Sequence, residues 1–287
     1  MRTFAEFVRA TVENLESAGK IPLGRSSFPH HEPRSSGAPA GLIFSPHPDD
    51  ECISGGLPLR LFRQQGFRIV NVPVTLGSDT ARRGARRREL ENACRFLGFE
   101  IEFPNSGSFE TITPEFRRSD SINWNLAVDK TAELIGNFEP KIVFTPHRND
   151  RHPAHCGTNL LVIDALRKMP QDFSCIIVEN EYWQAMETPN CLVELDEKTV
   201  SDLIAALTFH AGEVERNPYH LTFPSWLIDN VRRGSEIVGK AGAESQNFTF
   251  GILHKISIFK NGELTPKFEN GAFLSMESDL EILTKLI

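Results

Sequence analysis

The sequence predicts an α/β fold built on a mostly parallel sheet with helices on both faces, and three observations carry that prediction. Short apolar, β-branched runs alternate with helical segments from residue 40 to about residue 180. That alternation implies right-handed strand–helix–strand crossovers, which belong to parallel sheets. The stretches densest in ionisable residues fall just after predicted strands, where open parallel sheets bind their ligands.

The elements follow in order. Residues 1–39 form an N-terminal helix and loop. The run MRTFAEFVRATVENLESAGK carries acids throughout and lacks a central apolar block, so it reads as an amphipathic helix and not as a signal peptide. Residues 21–39, rich in Pro, Ser and Gly and without periodicity, read as a long surface connection in which His30 and His31 are solvated. The core, about 40–180, holds strands over 41–44, 67–75, near Ile101, 141–145 and 175–179. Helices over 57–65, 82–97, 125–138 and 155–168 alternate with them, the second ending at Gly98. About 181–287 is a smaller C-terminal α+β extension: helices over 197–210 and 225–241, then a strand pair, 251–259 and 264–268, around the turn Lys260-Asn261-Gly262. The three parts are expected to form one domain spanning 1–287.

Composition narrows the function. A formal net charge of −7 argues against a nucleic-acid partner, whose phosphates need a basic face. No apolar stretch approaches the roughly 20 residues of a spanning helix. Five cysteines, odd in number, widely spaced and without a CxxC, read as reduced thiols of a cytoplasmic protein.

The chemistry concentrates at two strand ends. In SPHPDDE, His47 and Asp50 stand three residues apart, so one turn can aim both at a single centre while Asp49 projects elsewhere. In RHPAH, His152 and His155 repeat the spacing, with Pro153 in the turn that opens a helix. His47, His155 and Asp50 together make a His2Asp set, a combination suited to zinc with a position left open for water. Asp49 and His152 then remain as a base for the water and a proton donor or oxyanion partner. Blander uses exist for each piece. Asp49 or Asp50 could cap the following helix, and an HxxH pair can simply sit on a surface. A phosphate-binding use of Gly55-Gly56 fails, because no GxGxxG is present and the acids before it repel phosphate.

The segment PHPDDE at 46–51 resembles the HPDDE signature of the LmbE-like, or PIG-L-like, zinc-dependent N-deacetylases, and HPAH at 152–155 resembles their HPDH signature. Thr75-Leu76-Gly77 is similar to their TxGE-like turn, RRRELENACRFLG at 86–98 to their RxxEL…A…LG helix, and Ala243-Glu244 to a common AE pair. The resemblance covers about residues 40–250. It implies a Rossmann-like fold, one Zn2+ per chain, and hydrolysis of an N-acyl, usually N-acetyl, amide on a small-molecule amino sugar or glycoconjugate. By carry-over His47, Asp50 and His155 bind the zinc, Asp49 is the general base, and His152 stabilises the oxyanion or protonates the amine. Arg86, at the RxxE position, and Asn105, where many relatives have Asp, are the expected substrate contacts. Ala154 stands where the family has Asp, so His155 must be oriented from elsewhere, Asp150 being the candidate.

The other arginines of RRGARRR, 82–88, read as a solvated helix face paired with Glu89 and Glu91. His210 reads as a favourable partner of a helix C-terminus, and His147 could line the mouth. Trp124, Trp183 and Trp226 are candidate sugar platforms, with the Tyr182-Trp183 pair the best placed. An amidase for a thiol-sugar conjugate or an acylated antibiotic, and a catalytically idle sugar-binding protein, are the alternatives. Homo-oligomerisation is left open.

Overall fold

The computed structural model describes residues 3–104 and 107–285. Helix α1 (Phe4–Ala18) begins with a reciprocal capping box: Thr3 Oγ1 accepts the Glu6 N–H and the Glu6 carboxylate accepts the Thr3 N–H. Strand β1 (Ala40–Ser45) leads into the short α2 (Asp50–Ile53) and α3 (Gly56–Gln64). Strand β2 (Arg68–Pro73), α4 (Arg83–Leu97) and the short β3 (Glu100–Ile101) follow. Helices α5 (Pro114–Ser119) and α6 (Ser121–Phe138) precede β4 (Ile142–Pro146), which α7 (Pro153–Leu166) joins to β5 (Ser174–Asn180). Then come β6 (Cys191–Leu195), α8 (Glu197–Leu207), α9 (Ala211–Val214), α10 (Tyr219–Gly239), a hairpin of β7 (Phe250–Lys260) and β8 (Glu263–Pro266), and β9 (Ala272–Leu274).

One sheet carries the strands in the order β3-β2-β1-β4-β5-β7-β6-β9, with β8 on β7. Pairing is parallel from β3 through β5. Both faces of β1 are buried, which explains its unbroken apolar run: Ile43 joins one apolar cluster, Leu42 and Phe44 the other. Helices therefore lie on both sides. The predicted hairpin is present, but the C-terminal extension continues the same sheet, because β7 inserts antiparallel between β5 and β6. Its apolar residues are buried on both faces, Ile252 and Ile256 in one cluster and Leu253 in another, as a central strand requires. Strands β6 and β9 carry no pattern long enough to be read from the sequence.

The chain runs β1→β2→β3 toward one edge and then resumes at β4 on the other side of β1. That reversal opens a crevice between the carboxyl ends of β1 and β4. Gly55 and Gly56 serve packing: a Cβ on Gly55 would lie 2.6 Å from Glu51 O, and one on Gly56 2.9 Å from Leu195 Cδ1.

Residues 21–39 are less detached than expected. Phe28 stacks on Phe209 with centroids 5.3 Å apart, and Arg34 Nη2 donates to Phe62 O at 2.7 Å. His31 Nε2 bonds Phe96 O at 2.9 Å over the edge of Phe62, so it is anchored where a solvated ring was expected; His30 is exposed. Among the described residues no helix is long and apolar enough to cross a membrane.

Candidate active site

The crevice between β1 and β4 opens into a cavity of about 830 Å³ lined by His47, Asp49, Asp50, His152 and His155, among others. The first three stand on the turn after β1, the two others at the start of α7. Pro153 occupies the first turn of that helix, whose missing N–H costs nothing there. Asp49 precedes α2 but its side chain makes no cap hydrogen bond, so the capping use fails. It is held at φ 120°, a region non-glycine residues enter rarely.

Asp50 Oδ2 lies 3.4 Å from His47 Nδ1 and 3.4 Å from His155 Nε2, and accepts the His47 backbone N–H at 2.9 Å. Burial, ahead of its neighbours' charges, pushes the Asp50 pKa well up. Burial also pulls His47 down to about 4 and His155 to about 2, so neither imidazole carries the proton that would neutralise the carboxylate. Two neutral imidazoles and one buried carboxylate aimed at one point fit a divalent cation, and N/O donors of this kind suit zinc.

His152 is as near: atoms of His47, His152 and His155 lie within 4.8 Å of one another. Its contacts nevertheless separate it from the other two. His152 Nδ1 accepts the Ala154 N–H at 3.2 Å, and burial first, then His47, lowers its pKa. A neutral ring that accepts at Nδ1 carries its proton on Nε2, which leaves that atom able to donate into the cavity.

Asp49 lies on the other flank. Burial, then the Asp50 charge, pushes its carboxyl up to about 7, while His210, Arg86 and a hydrogen bond from Tyr219 pull it back. A base poised near neutral pH is what proton transfer from water requires. Asp150, the expected substitute for the family's missing Asp, is buried with Oδ1 3.6 Å from His155 Nδ1, close enough for charge but too long for a hydrogen bond. Its oxygens accept backbone N–H groups of His152 at 2.9 Å and Trp183 at 3.0 Å, tying the two loops together.

Arg86 lines the cavity and is turned to its neighbours: Nη2 donates to Pro48 O at 2.9 Å, while Nε, 3.8 Å from Glu213 Oε1, is near enough for charge but makes no hydrogen bond among the described residues. It braces the motif turn. Gly77, at φ +89°, makes room for it, since a Cβ there would meet Arg86 Nη1 at 2.3 Å. Asn105 lies outside the described residues. Other arginines of the run also reach across the fold, Arg82 to Glu213 and Arg83 to Glu110, whereas Glu89 bonds the Gly212 N–H. Only Arg87 keeps its local partner, Glu91, among the described residues. Trp183 and Trp226 line the cavity, but Trp124 is core, its indole N–H on Asp164. His147 is buried, bonded to Gln184 O, and does not line it; neither do Ala243 and Glu244.

The sequence reading missed a second layer. His210 caps no helix C-terminus: it is fully buried, with Nε2 2.7 Å from Glu51 Oε1. Glu51 Oε2 accepts the Asp49 N–H at 2.9 Å, holding the strained residue in place. Tyr219, from α10, donates its hydroxyl to Asp49 Oδ2 at 2.6 Å. The Glu of HPDDE was in view, but its partner lies 159 positions away, beyond any local signal.

Comparison with known proteins fits this geometry. Residues 42–166, which carry every proposed ligand, match the family described as PIG-L: GlcNAc-PI de-N-acetylase. A probable N-acetyl-α-D-glucosaminyl L-malate deacetylase 2 of Bacillus cereus is 28% identical over 144 residues, 46% of this chain and 62% of that protein, so less than two thirds of that relative is spanned. In structure the chain is similar to the N,N'-diacetylchitobiose deacetylase of Pyrococcus horikoshii (TM-score 0.55, 18% identity, 89% of this chain, 93% of that one). It is equally similar to the 4-carboxy-2-hydroxymuconate hydratase GalB of Pseudomonas putida (TM-score 0.57, 17% identity, 76% and 95%). Likeness at that level establishes the fold, and one fold here carries two reactions. The sequence match locates the likeness: residues 42–166, under half of the chain, match the PIG-L (LmbE-like) domain and contain both histidine motifs.

Proposed function

We propose that the protein hydrolyses an N-acyl amide, an N-acetyl group above all, on an amino sugar or sugar conjugate, releasing acetate and a free amine. The observation that carries this reading is the shared cavity: a neutral His2Asp set with a base on one flank and an Nε2–H donor on the other, inside a domain of a de-N-acetylase family. His47, Asp50 and His155 would hold the metal, zinc at one per chain. Bound there, a zinc ion would supply Lewis acidity toward the acyl carbonyl and the attacking water.

The chain's own residues do the rest. Asp49 accepts a proton from the water as its oxygen bonds the acyl carbon. His152 Nε2–H donates to the oxyanion that forms on the carbonyl oxygen. Breakage of the C–N bond then gives acetate, and the amine leaves with the proton that Asp49 took from the water, which returns the base to its starting form. Trp183 at the rim and Trp226 on α10 offer faces on which a sugar ring can stack. Arg86 acts through Pro48 and Glu213, holding the turn, and Asn105 is retained as a sugar contact.

Residues of α9 and α10 complete the cavity, which supports the whole of 1–287 acting as one unit. The net charge of −7 and five free cysteines support a small-molecule substrate and a cytoplasmic setting. The test is to incubate zinc-loaded protein with N-acetylglucosamine and a panel of its conjugates and to measure acetate and amine. Equimolar release from at least one member is expected. Release from none, by protein carrying one zinc per chain, would overturn the reading.

A further inference from the structure

The proposed base needs a fixed orientation, and the one hydrogen bond to its carboxylate among the described residues comes from outside residues 42–166. Tyr219 Oη donates to Asp49 Oδ2 at 2.6 Å, and among the described residues no other group hydrogen-bonds either oxygen of that carboxylate. The tyrosine ring is itself held. It opens α10 directly after Pro218, is partly buried, and packs against the larger apolar cluster, which includes Phe223 one turn along the same helix. The Asp49 backbone is fixed independently, by Glu51 Oε2 on its N–H, and Glu51 in turn by His210. Backbone and carboxylate are thus pinned from two points of the chain, nine positions apart, on either side of α9.

We propose that Tyr219 is a positioning residue for the base: its hydroxyl engages Asp49 Oδ2 and so leaves Oδ1 as the oxygen that accepts the proton from water. The inference rests on Asp49 being that base. A carboxylate on a turn, without this bond, rotates about its last torsion and presents either oxygen. A phenol suits the task because burial, and then the Asp49 charge, push its pKa upward, so it stays a donor at any physiological pH. The family domain supplies the base, and the C-terminal segment decides how it faces.

The test combines a spectroscopic arm with a kinetic one. The chain has two tyrosines, Tyr182 and Tyr219, so metal-free protein labelled at the tyrosine Cζ carbon gives two resonances. The resonance lost in Tyr219→Phe should shift in Asp49→Ala. In zinc-loaded protein, Tyr219→Phe should lower kcat about ten- to hundredfold, with KM and zinc content within about twofold of wild type. Phe keeps the ring and its packing, so a purely structural role predicts no loss. An unmoved resonance, or a kcat within about twofold of wild type, overturns the proposal. If the wild type cleaves no amide, the reading of the reaction has failed, and the resonance alone decides whether Tyr219 holds Asp49.

Discussion

Two clusters of acid and histidine share the turn after β1, each completed by a histidine from elsewhere in the chain, and they differ in what they lack. The first, His47, Asp50 and His155, converges on an 830 Å³ cavity with neutral imidazoles around a buried carboxylate. The second, Glu51, Cys52 and His210, is wholly buried, and its carboxylate is answered from within: His210 Nε2 lies on Glu51 Oε1 at 2.7 Å and Cys52 Sγ on the same oxygen at 3.2 Å, while His210 Nδ1 has no partner among the described residues. Residue types and proximity are alike. What separates the proposed metal site from the brace is whether the histidines bond the carboxylate and whether anything from outside can reach it.

The contrast orders the expected effects. Asp50→Ala should abolish both metal retention and turnover, because it removes the carboxylate that a cation answers; metal content by mass spectrometry and amine release decide it. Asp49→Asn should keep one metal per chain yet lose about 10²–10⁴ in kcat, the usual worth of a general base. His210→Ala should cost about 3–5 kcal/mol of stability, since it strands a buried carboxylate, while leaving metal content close to wild type; thermal or urea unfolding measures it. Trp183→Ala, at an exposed rim position, should raise KM a few fold and leave kcat unchanged.

The brace also sets a pH dependence. Burial pulls the His210 pKa down, but the Glu51 charge and hydrogen bond outweigh it, so the folded value lies above 6.5. Burial likewise raises Glu51, and His210 outweighs it, so its folded value lies below 4.5. The histidine's contribution is complete below pH 6.5 and fades as pH rises through the folded value; the glutamate's is complete above pH 4.5 and fades as pH falls. The pair therefore stabilises most between these limits, and metal-free protein should lose stability as pH rises above 6.5. A Glu51→Gln, His210→Gln double variant should lose much of that slope, and an unchanged slope would assign it to other groups.

How much of this was legible follows from range. His47, Asp50, Asp49, His152 and His155 were readable because each pair sits within one turn at a strand end, and β1 and β4 announce themselves as buried parallel strands. Arg86 was readable as a position but not as a role, since its partners Pro48 and Glu213 are set by folding. His210 was misread for the same reason. A histidine after a helix satisfies a local rule, and its partner lies 159 residues away, a contact no spacing encodes. Tyr219 opens α10 six residues before the predicted start, because Pro224 lies inside the helix and mimics a boundary.

The most direct measurement counts zinc per chain in wild type, Asp50→Ala and Glu51→Gln prepared side by side. One zinc in wild type, none in Asp50→Ala and one in Glu51→Gln is the result this account predicts. Zinc retained by Asp50→Ala but lost from Glu51→Gln would put the metal in the closed cluster and contradict it.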